Sequence, residues 1–130
     1  MGDRQAIQSG APWEALAAYS RAVRVGAHVA VSGTAPVDEQ GEVVGVGDPY
    51  QQAQRCIEII AAALQQAGAG LEHVVRTRMF VTDIGHWEAF ARAHREAFDG
   101  IAPATTMVEV AQLIDPRMLI EIEADAIVED

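Results

Sequence analysis

Three carboxylates alternate with apolar residues near the end of the chain, at Glu121, Glu123 and Asp125. In an extended strand every second side chain points to the same face, so these three would stand about 7 Å apart. Like charges on a partly buried face raise the pKa of at least one member, and such a carboxylate can hold a water and move protons. The alternative is a solvated acidic stripe, against which Leu119 and Ile127 on the same face favour partial burial.

Hydroxyl groups at Ser32 and Tyr19 are the next candidates for chemistry. Ser32 and Gly33 end a predicted strand, where the hydroxyl can bind a ligand and the glycine lets a ligand approach the backbone. The phenol of Tyr19 can orient a substrate or complete a hydrogen-bond network. Both features also have ordinary structural interpretations, a strand exit for Ser32–Gly33 and an interface aromatic for Tyr19.

Two arginines, Arg76 and Arg78, flank Thr77 in another predicted strand. A charged side chain in mid-strand is costly unless its charge has a partner. The partner is either the acidic residues of the last strand or an anionic ligand, because a guanidinium binds carboxylates through two parallel hydrogen bonds. A structural salt bridge and an anionic-substrate site therefore both remain open.

Metal and cofactor chemistry have no support in the sequence. The chain has no lysine, which excludes Schiff-base and pyridoxal-phosphate chemistry on a lysine of this chain. The glycines around Val46 lack the phosphate-loop and dinucleotide patterns, so we expect no cofactor. Cys56 is predicted to be a core residue, and no metal is expected because the histidines lack metal-ligand spacing: His28, His73, His86 and His94.

Length and composition predict one globular domain over residues 1–130, half of it hydrophobic. The net charge of −10 disfavours nucleic-acid binding, because an acidic surface repels phosphate backbones. No apolar run approaches the roughly 20 residues that a membrane crossing needs, and the first ten residues lack a signal-peptide stretch. We therefore predict a cytoplasmic protein that does not contact membranes.

The candidate residues fall on elements of an α+β fold. In chain order these are strands at 17–25 and 27–34, a helix between Asp48 and Gly68, a strand at 73–82, a helix at 85–98, and strands at 105–113 and 117–127. Two helices separated by a strand cover the same face of one sheet. Glu121, Ser32 and Arg78 would then lie on the uncovered face, together with apolar residues such as Met107. A mixed face of this kind favours burial against another subunit.

On the strand at 73–82, alternation places Val75 with Thr77, Met79 and Val81 on one face.

Several segments together resemble one family: AYSRAV around Tyr19, VAVSGTAPVD at 29–38, QRCIEII at 54–60, VVRTRMFVTDI at 74–84, and IAPATTMVEVAQL with LIEIEADA at 101–126. Their order and spacing are similar to those of the RidA (YjgF/UK114) family of reactive enamine/imine deaminases.

The resemblance implies a chorismate-mutase-like or ferredoxin-like single domain, with two helices on one face of a mostly antiparallel sheet. It also implies a homotrimer around a central barrel, with small-molecule clefts between subunits. Active members hydrolyse imines there without a cofactor, using a last-strand carboxylate to position water and an arginine to hold an anionic substrate.

Residue by residue, the family's carboxylate, serine and tyrosine fall on Glu121, Ser32 and Tyr19, the implied catalytic residues. The family's substrate-binding arginine falls on Thr105, within Pro103–Ala104–Thr105, so the usual anchor is missing. Arg78 is the hypothesised replacement. The remaining substrate-binding positions implied by the resemblance are Gly33, Thr105 and Met107.

Two functions follow as expectations. The first is hydrolytic deamination of a small imine or enamine other than the usual 2-imino acids. The second is a non-catalytic trimer that binds a small anionic metabolite in a sensing or protective role. An RNA-cleaving role, also attached to the family by name, is disfavoured by the acidic charge.

Overall fold

The computed structural model describes residues 3–129, in which six strands form one sheet. The strands are β1 (Arg4–Ile7), β2 (Ala22–Val25), β3 (His28–Thr34), β4 (Val74–Val81), β5 (Ala104–Glu109) and β6 (Ile120–Ile127). The helices are α1 (Pro12–Ala17), α2 (Pro49–Gln66) and α3 (Trp87–Phe98), with short 3₁₀ turns at Leu71–His73 and Ile84–His86.

The sheet has the order β1-β2-β3-β6-β4-β5, so β6 lies between β3 and β4. Every neighbouring pair is antiparallel except β4 and β5, which are parallel and connected through α3. The prediction of a mostly antiparallel sheet in an α+β fold is therefore confirmed. Because β6 is central, Glu121 lies between the neighbouring strands β3 and β4.

The start of α2 follows directly from its sequence. The Asp48 side chain accepts a hydrogen bond from the Gln51 N–H at 3.0 Å, and Pro49 occupies the first turn, where its missing N–H has no cost. The apolar stripe of α2, including Ile60 and Leu64, is fully buried against the sheet.

A single core lies between the sheet and the pair α2 and α3, which confirms that both helices cover one face. On β6 the burial alternates: Ile120, Ile122, Ala124 and Ala126 are buried and the residues between them are not. We call the face turned away from α2 and α3 the open sheet face. It carries the half-buried Glu121, Glu123 and Asp125.

The N-terminal prediction was wrong in its boundaries. The predicted strand at 17–25 is a helix end, a loop and then β2, which begins only at Ala22. Pro12 begins α1, and Ala18 ends it in the left-handed conformation (φ 60°). Tyr19 therefore lies in the α1–β2 loop and not on a strand. The short edge strand β1 was missed because three of its four residues are exposed and show no apolar alternation.

Two predicted side-chain orientations were also wrong. A register shift between Val74 and Arg76 turns Val75 away from the core, and its side chain is 44% exposed. Met107 pairs with the buried Met79 and packs against the core, so it lies on the helix side of the sheet and not on the open sheet face.

The last two strands are shorter than predicted. β5 ends at Glu109 and β6 begins at Ile120, with irregular backbone between them. Within residues 3–129 there is no helix with the length and apolarity that a membrane crossing requires.

Candidate functional site

Glu121 sits at a bulge in the neighbouring strand, which gives its carboxylate room. The β3–β6 register shifts between Val31 and Thr34, the segment that contains Ser32 and Gly33. A Cβ added to Gly33 would collide with the Glu121 Oε2 atom, so only glycine leaves this space free. Gly33 and Glu121, each predicted separately as a site residue, are therefore neighbours within a single chain.

Arg21 is the cation beside this carboxylate, and sequence reasoning missed it as a site residue. It precedes β2, where its carbonyl accepts the Ser32 N–H at 3.0 Å and its Nη2 donates to the Gly33 carbonyl. Its neighbour Ala22 is buried on the core side, so alternation sends Arg21 to the open sheet face. That alternation was the available signal.

Burial raises the pKa of Glu121 above its ordinary value, which is the largest influence on it. The positive charge of Arg21 lowers the pKa of Glu121, and the negative charge of Glu123 raises it. The balance leaves a carboxylate with a stronger affinity for protons than an exposed glutamate. Such a group can accept a proton from water and return it within one reaction cycle.

Ser32 and Tyr19 border the same region from the β2 side. The Ser32 hydroxyl donates to the Ser20 carbonyl at 2.7 Å, which ties β3 to the residue before Arg21. Tyr19 is 37% exposed and lines a cavity of about 540 Å³ together with Ser20 and Glu14. The structure thus brings Gly33 beside Glu121, with Ser32 next to Gly33 in the same bulge and Tyr19 two residues from Arg21.

Arg78 lies on the open sheet face but is engaged by other acids. Its Nη1 contacts Glu123 Oε1 at 3.2 Å and Asp125 Oδ2 at 3.1 Å. In the β4–β6 register Arg78 is opposite Glu123, whereas Phe80 is opposite Glu121. The salt-bridge interpretation of Arg78 is therefore realised in the structure.

Thr105 lies on β5 at the edge of the sheet, on the helix side. Its Oγ1 is 2.6 Å from the Oγ1 of its partner Thr77, which is itself 2.8 Å from His94 Nε2. Burial lowers the pKa of His94, which favours the neutral imidazole in this network. Within one chain, Thr105 and Met107 are thus separated from Glu121 by the sheet.

Among residues 3–129, no group of three or more His, Cys, Asp or Glu side chains is arranged so that it could hold a metal ion. Cys56 is fully buried in the core, and burial raises the pKa of its thiol. A buried thiol in this state is unreactive, as its core assignment predicted.

Comparison with known proteins gives concordant matches. Residues 9–128 match the family model Endoribonuclease L-PSP. The chain is 36% identical to the 3-aminoacrylate deaminase RutC of Acinetobacter baylyi over 111 residues, covering 85% of this chain and 87% of that protein.

Two solved structures illustrate the likeness in fold. Rv2704 of Mycobacterium tuberculosis, of the YjgF/YER057c/UK114 family, matches with a TM-score of 0.89 and 44% identity, over 97% of this chain and 100% of that one. TdcF of E. coli, crystallised with bound serine, matches with a TM-score of 0.79 and 29% identity, over 85% and 88% of the two chains.

Proposed function

The chain belongs to the Endoribonuclease L-PSP (YjgF/YER057c/UK114) family, and from this premise we propose that it hydrolyses a small imine or enamine to an oxo compound and ammonia. The observation that carries the proposal is the half-buried Glu121 carboxylate with its raised pKa, fitted against Gly33 on the open sheet face. A relative at 36% identity bears the name of an enamine deaminase, which supports the same reaction class.

The proposed reaction needs only water and one proton-transfer group. Glu121 removes a proton from water as its oxygen attacks the C=N carbon, which gives a carbinolamine. Starting from the protonated imine, the carboxyl then returns that proton to nitrogen, Glu121 takes the hydroxyl proton as the C=O bond forms and the C–N bond breaks, and the released ammonia carries that proton away as ammonium. An enamine first accepts a proton on carbon to become the imine. We assign the hydroxyls of Ser32 and Tyr19 to orienting the substrate and the water.

We propose that the site is completed in a homotrimer whose sheets line a central barrel. The open sheet face carries neither α2 nor α3, and it places the apolar Phe80 opposite the charged Glu121. Thr105 and Met107 lie across the sheet from Glu121 in their own chain. They can line the same cleft as Glu121 only if they come from the edge strand of a neighbouring subunit.

The proposed substrate differs from the usual 2-imino acids. Thr105, at the position where the resemblance expects an arginine, offers a hydroxyl that is already bonded to Thr77 at 2.6 Å. A hydroxyl cannot neutralise a carboxylate, and losing a bidentate anchor typically weakens binding by several kcal/mol. We propose no cofactor, because water attack with a single carboxylate completes the balance of atoms.

The activity is tested by generating imines in solution and trapping them. An L-amino-acid oxidase supplies imines from several amino acids, semicarbazide traps what remains, and 3-aminoacrylate serves as a separate enamine substrate. We expect the wild-type protein to consume 3-aminoacrylate and to have a smaller effect on the semicarbazone yield from the 2-imino acids, and Glu121→Gln to have neither effect. Glu123→Gln, two residues along the same strand face, is the matched control and should retain most activity.

The second candidate is a trimer that binds a small anionic metabolite without transforming it. Thr105 favours it, since a site that has lost its anchor for catalysis can still bind. Absence of turnover with every imine and with 3-aminoacrylate would favour the non-catalytic binding function. RNA cleavage, which the family's name suggests, is opposed by the net charge of −10.

A further inference from the structure

Arg21 carries a positive charge on the open sheet face that no carboxylate within residues 3–129 neutralises by direct contact. None of the ion pairs closer than 4.0 Å among residues 3–129 involves Arg21. Its Nη2 donates to the Gly33 carbonyl, and its Nε–H is buried with no acceptor in that part of the chain. A guanidinium offers five N–H donors, so most of this capacity is unused.

The charges that face Arg21 come from neighbouring elements. Glu14 on α1 is buried and accepts hydrogen bonds from the Ser9 N–H and hydroxyl, so its oxygens are engaged. Tyr19, two residues before Arg21, also faces the guanidinium. Glu121 on β6 feels the charge of Arg21 but lies beyond ion-pair distance. The cation and the carboxylate therefore face the same region without neutralising each other.

A purely structural role explains Arg21 poorly. One hydrogen bond to the Gly33 carbonyl could be made by a neutral side chain, without the penalty of holding a charge in a half-buried position. Burial is the largest influence on Arg21 and lowers the pKa of its guanidinium, which still stays protonated at neutral pH. The arrangement is typical of a cationic side chain that binds an anionic ligand.

Arg78 provides the contrast. Its guanidinium is held by Glu123 and Asp125 at 3.2 and 3.1 Å, so an incoming anion would have to displace two carboxylates. At Arg21 the same anion would meet unused donors. The two arginines lie on one sheet face, yet only Arg21 adjoins the Gly33 bulge that receives Glu121.

We infer that Arg21 binds the carboxylate of the small molecule on which Glu121 acts. The inference rests on the proposed function of Glu121 and names the substrate class, an imine or enamine that carries a carboxylate. The guanidinium takes the carboxylate through two parallel hydrogen bonds while the C–N carbon faces Glu121. The anchor then comes from the β2 side of the site, not from Thr105 on β5.

Calorimetric titration of the full-length protein with stable oxo acids tests this assignment. We expect 3-oxobutyrate or 4-oxopentanoate to bind and the uncharged butanone not to bind. Arg21→Gln should weaken oxo-acid binding by at least about tenfold, the loss typical of one charged anchor. Arg24→Gln is the matched control, because Arg24 lies on β2 three residues after Arg21 but bonds the Ala67 carbonyl at the end of α2.

Equal affinity of wild type and Arg21→Gln for the oxo acids would overturn the inference, as would failure of wild type to bind either acid. A measurement on the unaltered protein covers the case in which Arg21→Gln does not fold. In the ¹⁵N spectrum, the Arg21 Nε–H resonance should move on oxo-acid titration and the Arg78 resonance should not. Movement of Arg78 alone would assign the anchor to Arg78 instead.

Failure of the inference and failure of the proposed function give different results. Oxo-acid binding that depends on Arg21, without any imine turnover, would keep the anchor and remove the catalytic role of Glu121. Glu121-dependent turnover with KM unchanged in Arg21→Gln would keep the catalytic role and remove the anchor. Glu121→Gln should abolish turnover and leave oxo-acid affinity within about threefold of wild type.

Discussion

At the scale of single residues, burial and two neighbouring residues define the properties of Glu121. Burial raises the pKa of its carboxyl, Arg21 opposes that shift, and Gly33 leaves the space that the carboxylate fills. Arg21 is the residue before β2 and Gly33 is on β3, so the site depends on the packing of β2, β3 and β6 together. A change at any one of these positions should alter Glu121 without touching its own side chain.

Replacing Gly33 by alanine should displace the Glu121 carboxylate. The new methyl group would meet Glu121 Oε2, the far end of a flexible side chain, so we expect the carboxylate to move, imine hydrolysis to fall by at least about tenfold and the melting temperature to fall only slightly. A double-mutant cycle with Glu121→Ala isolates the contact. The stability cost of Gly33→Ala should largely disappear in the Glu121→Ala background, and an unchanged cost there would contradict the steric account.

The pH dependence of turnover should report the carboxyl of Glu121. A general base with a raised pKa becomes protonated at a higher pH than an ordinary glutamate, so kcat/KM should fall on acidification through an apparent pKa above that of an ordinary glutamate. Arg21 lowers the pKa of Glu121, and Arg21→Gln should therefore move the acid limb to higher pH. A limb that stays fixed or moves to lower pH would refute this coupling.

The carboxylates, Ser32 and Gly33 were visible in the sequence because alternation and the Ser-Gly pair are local patterns. Arg21 was not recognised because its role depends on the Gly33 carbonyl, twelve residues away, and on a register shift that alternation alone does not reveal. Arg78 was assigned to the correct face, but its contacts with two acids emerge only from the β4–β6 register.

At the scale of elements, β4 joins the two faces of the sheet. Thr77 on its core side links Thr105 on β5 to His94 on α3, and Arg78 on its outer side links the acids of β6. The boundaries of α2 were predictable from Asp48 and Pro49, which act locally. The strand β1 was not predictable, because its sequence has no apolar alternation and its place in the sheet depends on pairing with β2.

Thr77→Val should destabilise the fold through this network. Valine matches threonine in shape but removes the buried hydroxyl, leaving His94 Nε2 without its partner. We expect a loss of about 1–3 kcal/mol in the free energy of unfolding, measured by urea denaturation. Thr106→Val is the control, because Thr106 is exposed on the neighbouring strand, and its effect should stay within about 0.5 kcal/mol. Equal losses of stability in the two variants would contradict the claim that the Thr77 hydrogen bonds stabilise the fold.

At the scale of the whole molecule, the open sheet face and the edge strand β5 are the surfaces left for assembly. Light scattering after size exclusion should give three times the chain mass of 13.9 kDa. The proposed trimer has its acidic strand facing inward, so Arg78 contacts with Glu123 and Asp125 would reduce repulsion there. A monomeric mass at micromolar concentration would rule out the trimer.

A cleft shared between subunits also predicts complementation. Thr105→Trp should block the cleft from the β5 side and Glu121→Gln should remove the base, so each variant alone should be inactive. Unfolding and refolding the two variants together should produce mixed trimers in which one cleft combines a native Thr105 with a native Glu121. Recovery of activity is expected, and its complete absence despite mixed assembly would place both residues' contributions in one chain.

The central claim, that Glu121 carries the hydrolysis of a C–N double bond, is tested most directly by the rate of oxo-product formation. Product should form from an imine or from 3-aminoacrylate faster with wild type than in buffer, and Glu121→Gln should lower the enzymatic rate by at least about a hundredfold. Size exclusion should show the same assembly for both proteins. A Glu121→Gln protein that assembles normally and turns over at the wild-type rate would contradict the account.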